Sequence, residues 1–239
     1  MLGFPLLIAV VAAAGAGEPP SFAAEERTDL LHFSYGWPAE VEAEPTLRAR
    51  LAGELEAARD DARRTAEQDR AGRGGDFPFN AHDYEKAWRI AGGTDRFLSL
   101  AASTHSYTGG AHGNLTFSAI LWDRRADRAA EPAALLGAGA LERLTPRYCE
   151  ALDAERAGRR GDPVQRDPED PFAACPALAG QVLAPADTDG DGRFDTLEVL
   201  IPPYVAGPWV EGPYVLEVAL REEDLAGLAA QVRDSFEAR

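Results

Sequence analysis

The sequence RFLSLAASTHSYTGGAHGNLTFSAILWD, residues 96–123, decides the fold more than any other part of the chain. Two apolar segments flank the run Tyr107–Asn114 (YTGGAHGN). A glycine pair between apolar segments is typical of a tight turn that joins antiparallel strands. We therefore predict a hairpin that turns at Gly109-Gly110 and pairs Leu98 with Leu121.

In this register, one face of the hairpin is nearly all apolar, as a half-buried antiparallel sheet requires. The apolar face pairs Leu98, Leu100, Ala102 and Thr104 with Leu121, Ala119, Phe117 and Leu115. The opposite face carries Ser99, Ser103, His105 and Tyr107 against Ile120, Ser118, Thr116, Asn114 and His112. A slip of one residue would destroy this sorting, so the pattern predicts this pairing.

The rest of the chain mixes strands and helices without a repeated βαβ pattern, which indicates an α+β fold with antiparallel sheets and packed helices. Besides the hairpin, strands are expected at 30–37, 84–91, 180–184, 196–201 and 214–220. Helices are expected over 45–70, 141–156 and 222–239, where apolar residues recur at helical spacing. We predict two small subdomains, 27–124 with the hairpin and 125–228 with an acidic loop, followed by the end of a C-terminal helix at 229–239.

The charge of the chain is strongly acidic, with 40 Asp and Glu against 24 Lys and Arg and a net charge of −16. Nucleic acid is excluded as an expected partner, because phosphate binding depends on clustered Lys and Arg. The acidity favours solubility or attraction to a basic partner.

The first residues predict export. Residues 2–16 (LGFPLLIAVVAAAGA) are apolar and uncharged, too short to span a membrane, and typical of a signal-peptide core. Small residues permit cleavage after Ala16 or after Ala23, so we assign residues 1–23 to the signal peptide. The mature chain is then expected to be periplasmic or secreted and not membrane-spanning.

Two cysteines, Cys149 and Cys175, are the only ones in the chain. In an exported protein the default for such a pair is one disulfide, and two buried free thiols are the alternative. A disulfide would close a loop that contains the Gly-, Pro- and Arg-rich stretch 158–171.

The segment DTDGDGRFDTLE, residues 187–198, matches a twelve-residue calcium loop. Alternating carboxylates would converge on the cation, a glycine permits the turn, and the last glutamate would close the site. The ligands would be Asp187, Asp189, Asp191, the carbonyl of Arg193, Asp195 and Glu198. Because the following residues predict a strand rather than a helix, Ca²⁺ binding and a bare acidic turn are both open.

Histidines offer a second possible metal site, since His105 and His112 share a face of the predicted hairpin and His82 could be a third ligand. A polar hairpin face that hydrogen-bonds its neighbours is the simpler interpretation. The chain has no nucleophile elbow, zinc-protease motif or phosphate-binding glycine loop. The four tryptophans could include a glycan-stacking platform, although large aromatics are more commonly core residues.

Two motifs together resemble a family of exported domains of unknown function. Tyr107–Asn114 is similar to the hallmark hairpin of these domains, and IPPYVAGPWVEGPY, residues 201–214, is similar to a segment of the domain paired with it. Such domains form the non-catalytic region of the peptidoglycan deacetylase PdaC and the lysozyme-binding outer region of the anti-sigma factor RsiV. The resemblance implies two paired α+β subdomains, with the hairpin near the end of the first.

The expected function is therefore an exported, non-catalytic module that binds an envelope glycan or a basic, lysozyme-like protein, with Tyr107, His112 and Asn114 as candidate binding residues. The alternatives are a metal-dependent envelope hydrolase and a calcium-stabilised structural protein.

Overall fold

The computed structural model describes residues 22–73, 78–164, 169–170 and 172–239. The predicted signal peptide lies almost entirely outside these residues. The fold is α+β, as predicted, with a six-stranded sheet, a three-stranded antiparallel sheet and five α-helices in the described part of the chain.

The six-stranded sheet contains its strands in chain order. They are β1 (Phe22–Arg27), β2 (Leu31–Trp37), β3 (His82–Gly93), β4 (Phe97–Tyr107), β5 (Asn114–Asp123) and β6 (Arg128–Ala130). All neighbours are antiparallel except β2 and β3, which run parallel because helix α1 (Pro45–Gly72) crosses over between them. Strand β1 and this parallel crossover were not predicted from the sequence.

The second sheet contains β7 (Val182–Ala186), β8 (Thr196–Ile201) and β9 (Tyr214–Ala219). The remaining α-helices are α2 (Pro132–Leu136), α3 (Ala138–Arg160), α4 (Glu222–Leu225) and α5 (Ala230–Arg233). Short 3-10 helices lie at Ala39–Ala43, Leu178–Gly180 and Trp209–Glu211. No helix in the described ranges combines the length and apolar character that a membrane crossing needs.

Helix α1 forms where the sequence predicts it. Proline is favoured at the first helical position, which Pro45 occupies. The buried side chains Leu47, Leu51 and Leu55 recur every four residues and form a single stripe against the sheet.

The hairpin exists, but its predicted register is wrong by one residue. Leu98 pairs with Trp122, and Leu121 pairs with Ser99. The connection comprises residues 108–113, between the end of β4 and the start of β5, with positive φ at Gly109 and Gly110. A six-residue connection shifts the pairing relative to a two-residue turn.

The distribution of apolar residues predicted the wrong register because both faces of the hairpin are covered. Leu98, Leu100 and Ala102 face α1 together with Ile120 and Trp122. On the other face, Ala101, Phe117 and Ala119 pack against Ala184 and Leu200 of the second sheet. When both faces are buried, apolar residues at alternate positions do not identify the register.

The predicted C-terminal helix over 222–239 is also wrong. Helices α4 and α5 are single turns, and Phe236 forms an isolated bridge with Phe194. The predicted apolar stripe is nevertheless buried, at Leu225, Leu228, Val232 and Phe236. Burial was thus correctly inferred, but the local geometry was not.

The two sheets are in close contact at Gly92, where a bulge interrupts the pairing of β3 with β4. A Cβ atom there would lie 2.6 Å from the backbone nitrogen of Asp187, which itself donates a hydrogen bond to the Ala91 carbonyl. Beside this contact, Arg89 forms an ion pair with Glu198 at 2.7 Å. These contacts fix the second sheet against the first.

The predicted disulfide is confirmed. Cys149 of α3 is bonded to Cys175, with the two Cα atoms 5.6 Å apart. It attaches the segment before β7 to the middle of helix α3.

Candidate binding surface

Three aromatic rings from two distant parts of the chain meet at the surface. The His112 ring, in the β4–β5 connection, stacks on Trp209 with ring centroids 4.3 Å apart and an interplanar angle of 13°. Its Nε2 lies 3.1 Å from the Tyr204 hydroxyl. The two motifs that carry the family resemblance therefore come together, and we call His112, Tyr204 and Trp209 the aromatic cluster.

The tautomer of His112 follows from its neighbours. Nδ1 lies 2.8 Å from the Gly113 carbonyl oxygen, which can only accept a hydrogen bond. In the neutral ring Nδ1 therefore carries the proton, and Nε2 accepts from the Tyr204 hydroxyl. This bond joins the β4–β5 connection to the segment that follows β8.

We call residues 202–213 (PPYVAGPWVEGP) the aromatic loop. It contains three of the four large apolar side chains that are exposed in the described residues: Tyr204 (55%), Val205 (40%) and Val210 (89%). Apolar side chains gathered on one exposed loop are a common mark of an interaction site. The loop is thus distinct from the remaining surface.

Tyr204 has a backbone φ of +69°, one of two positive values among described residues other than glycine. Bulky side chains rarely adopt this conformation, and strain of this kind is concentrated at functional sites. The Tyr204 amide donates to the Gly207 carbonyl, which closes the turn around it. The loop therefore projects Tyr204 outward from a constrained backbone.

The end of helix α3 holds the aromatic loop. Arg159 donates to the carbonyls of Glu211 and Pro213, and Arg160 forms two hydrogen bonds to the Glu211 carboxylate. The Tyr214 hydroxyl also donates to Glu211.

These contacts change the acidity of both partners. Burial opposes ionisation of Glu211, but hydrogen bonds from Arg160 and Tyr214 outweigh it and hold the pKa of that carboxyl below its usual value. Burial, with the neighbouring carboxylate, raises the pKa of Tyr214 to about 12. Glu211 is the one charged residue of the loop and is neutralised by Arg160.

The other predicted binding residues have different positions. The Tyr107 hydroxyl donates to the Gly110 carbonyl across the β4–β5 connection. Exposed Asn114 pairs with Ser106, on the sheet face opposite to that of His105 and Tyr107, because the true register differs from the predicted one. The predicted face shared by His105, Tyr107, His112 and Asn114 is therefore not formed.

The histidines considered as metal ligands are used separately. Buried His82 lies 3.1 Å from the Asp69 carboxylate, His105 is exposed on β4, and His112 belongs to the aromatic cluster. Within the described ranges, one group of three or more possible ligands is close enough to share an ion, and it contains no histidine.

That group is Asp187, Asp189 and Asp191, whose carboxylates lie within 4.8 Å of one another. The Asp187 carboxylate accepts hydrogen bonds from the amides of Gly190 and Gly192, which shapes the loop. A hydrogen bond from the Arg193 side chain lowers the pKa of Asp191. Three of the predicted calcium ligands thus converge.

Two further predicted ligands have other partners. The buried Asp195 carboxylate accepts from the Thr188 amide and hydroxyl, and Glu198 is paired with Arg89. The Arg193 side chain, whose residue was expected to supply a carbonyl, pairs with Asp191 and Glu237. The carboxylates that fit a cation are those of the first half of the loop.

Calcium binding stays a prediction, and thermal unfolding tests it. Ca²⁺ should raise the melting temperature, because an ion that binds the native state stabilises it, by about 2.7 kcal/mol at a hundredfold excess over Kd. Asp189→Asn should abolish the gain, whereas Asp234→Asn, an exposed aspartate outside the cluster, should preserve it. An unchanged melting temperature of the parent protein in Ca²⁺ would identify a bare acidic turn.

Sequence reasoning missed Tyr204 and the arginines at the end of α3. The sequence did contain a signal: residues 202–213 place aromatic residues among prolines and glycines, a pattern typical of a surface loop and not of a core element. Trp37, Trp88 and Trp122 are buried as expected, and Trp209 is the half-buried exception.

Comparison with known proteins agrees with this organisation. Residues 24–115 match the family model described as deacetylase PdaC. The match confirms the resemblance of the hairpin region to PdaC-type domains. No curated protein matches the chain.

Solved structures share the fold. A DUF3298 family member from Bacteroides fragilis is 14% identical, with a TM-score of 0.55, covering 92% of this chain and 97% of its own. A DUF3298 family protein from Pseudomonas aeruginosa PAO1 is 15% identical, with a TM-score of 0.50, covering 94% and 100%. Residues 24–115 are thus similar to PdaC-type domains, and the chain as a whole shares the fold of the two DUF3298 structures.

Proposed function

We propose that this chain, whose residues 24–115 are similar to PdaC-type domains, is an exported cell-envelope module that binds a glycan at the aromatic cluster. The observation that carries the proposal is the meeting of His112, Tyr204 and Trp209 beside an exposed apolar loop. The apolar C–H faces of sugar rings pack on aromatic side chains, and the polar ends of Tyr and His can hydrogen-bond hydroxyl groups.

The charge of the surface favours a neutral ligand. The chain carries a net charge of −16, yet the one charged residue of the aromatic loop is neutralised by Arg160. An uncharged, constrained aromatic surface suits a glycan better than a strongly charged protein. The constrained loop also reduces the ordering that binding would require.

A basic, lysozyme-like protein is the second candidate ligand, and the acidity of the chain favours it. A positively charged partner would be attracted by the excess of 40 acidic over 24 basic residues. Such binding would use charged surface outside the aromatic loop and would weaken as salt screens the charges. Salt dependence therefore separates the two candidates.

Trp209→Ala should weaken binding to soluble peptidoglycan strands or N-acetylglucosamine oligomers about tenfold, because stacking and apolar contact of one aromatic ring contribute on the order of 1 kcal/mol or more. Isothermal titration calorimetry at two salt concentrations measures the effect. Phe22→Ala is the matched control, since Phe22 is an exposed aromatic that stacks on Trp37, in another part of the fold.

Two outcomes contradict the glycan proposal: no binding by the parent protein to either probe, or equal losses in Trp209→Ala and Phe22→Ala. Lysozyme is titrated in parallel. Salt-sensitive capture that Trp209→Ala leaves unchanged would support the basic protein instead.

Export is part of the proposal, and β1 bears on the cleavage site. The strand begins at Phe22, whose ring stacks on Trp37 at 4.1 Å. Cleavage after Ala16 preserves this contact, whereas cleavage after Ala23 removes it, so we expect cleavage after Ala16. N-terminal sequencing of the exported protein checks this, and a mature chain that begins at Ala24 would contradict it.

A further inference from the structure

Arg156 lies beneath the aromatic loop and is completely buried. Its Nε donates to the Ala206 carbonyl at 2.9 Å, and its Nη2 donates to the Ala174 carbonyl at 3.0 Å. A third nitrogen, Nη1, lies 3.3 Å from the Asp153 carboxylate. One buried guanidinium thus connects helix α3, the segment before β7 and the aromatic loop.

The carbonyl partner Ala174 is next to Cys175, which is disulfide-bonded to Cys149 of the same helix. Cys149 and Arg156 are two helical turns apart, so they lie on the same side of α3. The disulfide and Arg156 therefore fasten one segment to one helix face. Ala206, the loop partner of Arg156, lies between the exposed Tyr204 and Trp209.

We propose that Arg156 is a positioning residue of the aromatic cluster, and that the Cys149–Cys175 disulfide acts on the cluster through it. A buried charge is costly unless its hydrogen bonds are satisfied. Release of the Ala174 segment removes one acceptor and admits water to the guanidinium. The Ala206 carbonyl then loses a rigid donor, and the loop loses its central attachment.

The chemical step is reduction of one disulfide by a dithiol reductant. The S–S bond breaks, and each cysteine sulfur takes up one electron and one proton from the dithiol to become a thiol. The reductant is oxidised to its own cyclic disulfide. The oxidised chain presents the ordered surface and the reduced chain does not. The consequence for ligand binding rests on the proposed glycan function, but the consequence for the loop does not.

Hydrogen exchange of the full chain, followed by mass spectrometry, tests the inference without a ligand. The amides of Tyr204, Glu211 and Gly212 donate within the loop and report its closure. Reduction, or Arg156→Lys in the oxidised chain, should accelerate exchange over residues 202–213 about tenfold or more, since the loop loses a hydrogen bond from a charged group, which is stronger than one between neutral groups. Peptides of β8 and β9 should be unchanged.

The decisive measurement is reduction of the Arg156→Lys protein. If the disulfide acts through Arg156, reduction and Arg156→Lys together should accelerate loop exchange by less than the product of their separate accelerations. Arg147→Lys is the matched control on the same helix, because Arg147 pairs with Asp224 and not with the loop. Unchanged loop exchange in oxidised Arg156→Lys, additive effects, or equal acceleration in β8 and β9 would each overturn the inference. Because exchange needs no glycan, absence of glycan binding would count against the proposed function alone.

Discussion

Gly92→Ala should destabilise the protein by about 3 kcal/mol, the upper part of the range for overpacking a close contact. The new methyl group would lie 2.6 Å from the Asp187 backbone nitrogen and 3.0 Å from the Phe194 ring. Neither can withdraw easily, because the Asp187 amide is hydrogen-bonded to Ala91 and Phe194 is fully buried. The sheets must separate locally, and chemical denaturation measures the loss.

Gly93→Ala is the matched control. A Cβ atom at Gly93 meets nothing within 4 Å, although the residue is adjacent in the same strand. Its stability should be unchanged or slightly higher, because alanine restricts the unfolded chain. Equal denaturation midpoints for Gly92→Ala and Gly93→Ala would show that the sheets do not meet closely at this position.

Replacing both Cys149 and Cys175 with serine should cost about 3.5 kcal/mol, because the disulfide joins residues separated by 26 positions and restricts the unfolded chain. For a chain of this size the melting temperature should fall by about 10 °C. Differential scanning calorimetry measures both quantities.

The reduced parent protein is the control for the serine replacements. It and the double-serine variant should unfold together, because both lack the same cross-link. A double-serine variant as stable as the oxidised parent would show that the disulfide adds no stability.

Apolar spacing within one element identified the buried residues correctly, because neighbouring residues in a helix or strand have fixed spacing. Helix α1 was predicted from Leu47, Leu51 and Leu55, and these leucines are buried. The C-terminal stripe was buried as predicted, although the chain there forms two single turns instead of one helix. Hydrophobic spacing indicates which residues are buried more reliably than it indicates the local backbone.

Predictions that depended on contacts between elements were less successful. The hairpin register failed because the second sheet covers the face that was assumed to be polar. Because the register differs from the predicted one, the candidate residues of the hairpin do not share a face. His112 alone joins the aromatic cluster. Tyr204 was missed because its importance depends on a partner that is 92 residues away.

The sequence by itself determined the α+β class, the glycine-containing hairpin, the main helices and the cysteine pair. The first three depend on local spacing, and the cysteine pair follows because the chain has two cysteines. The tertiary structure decided which side chains share a surface. His112 meets Tyr204 and Trp209 because the second sheet packs against the first and arginines of α3 hold the loop. Such contacts depend on register and on packing between distant segments, which the spacing of residues along the chain does not specify.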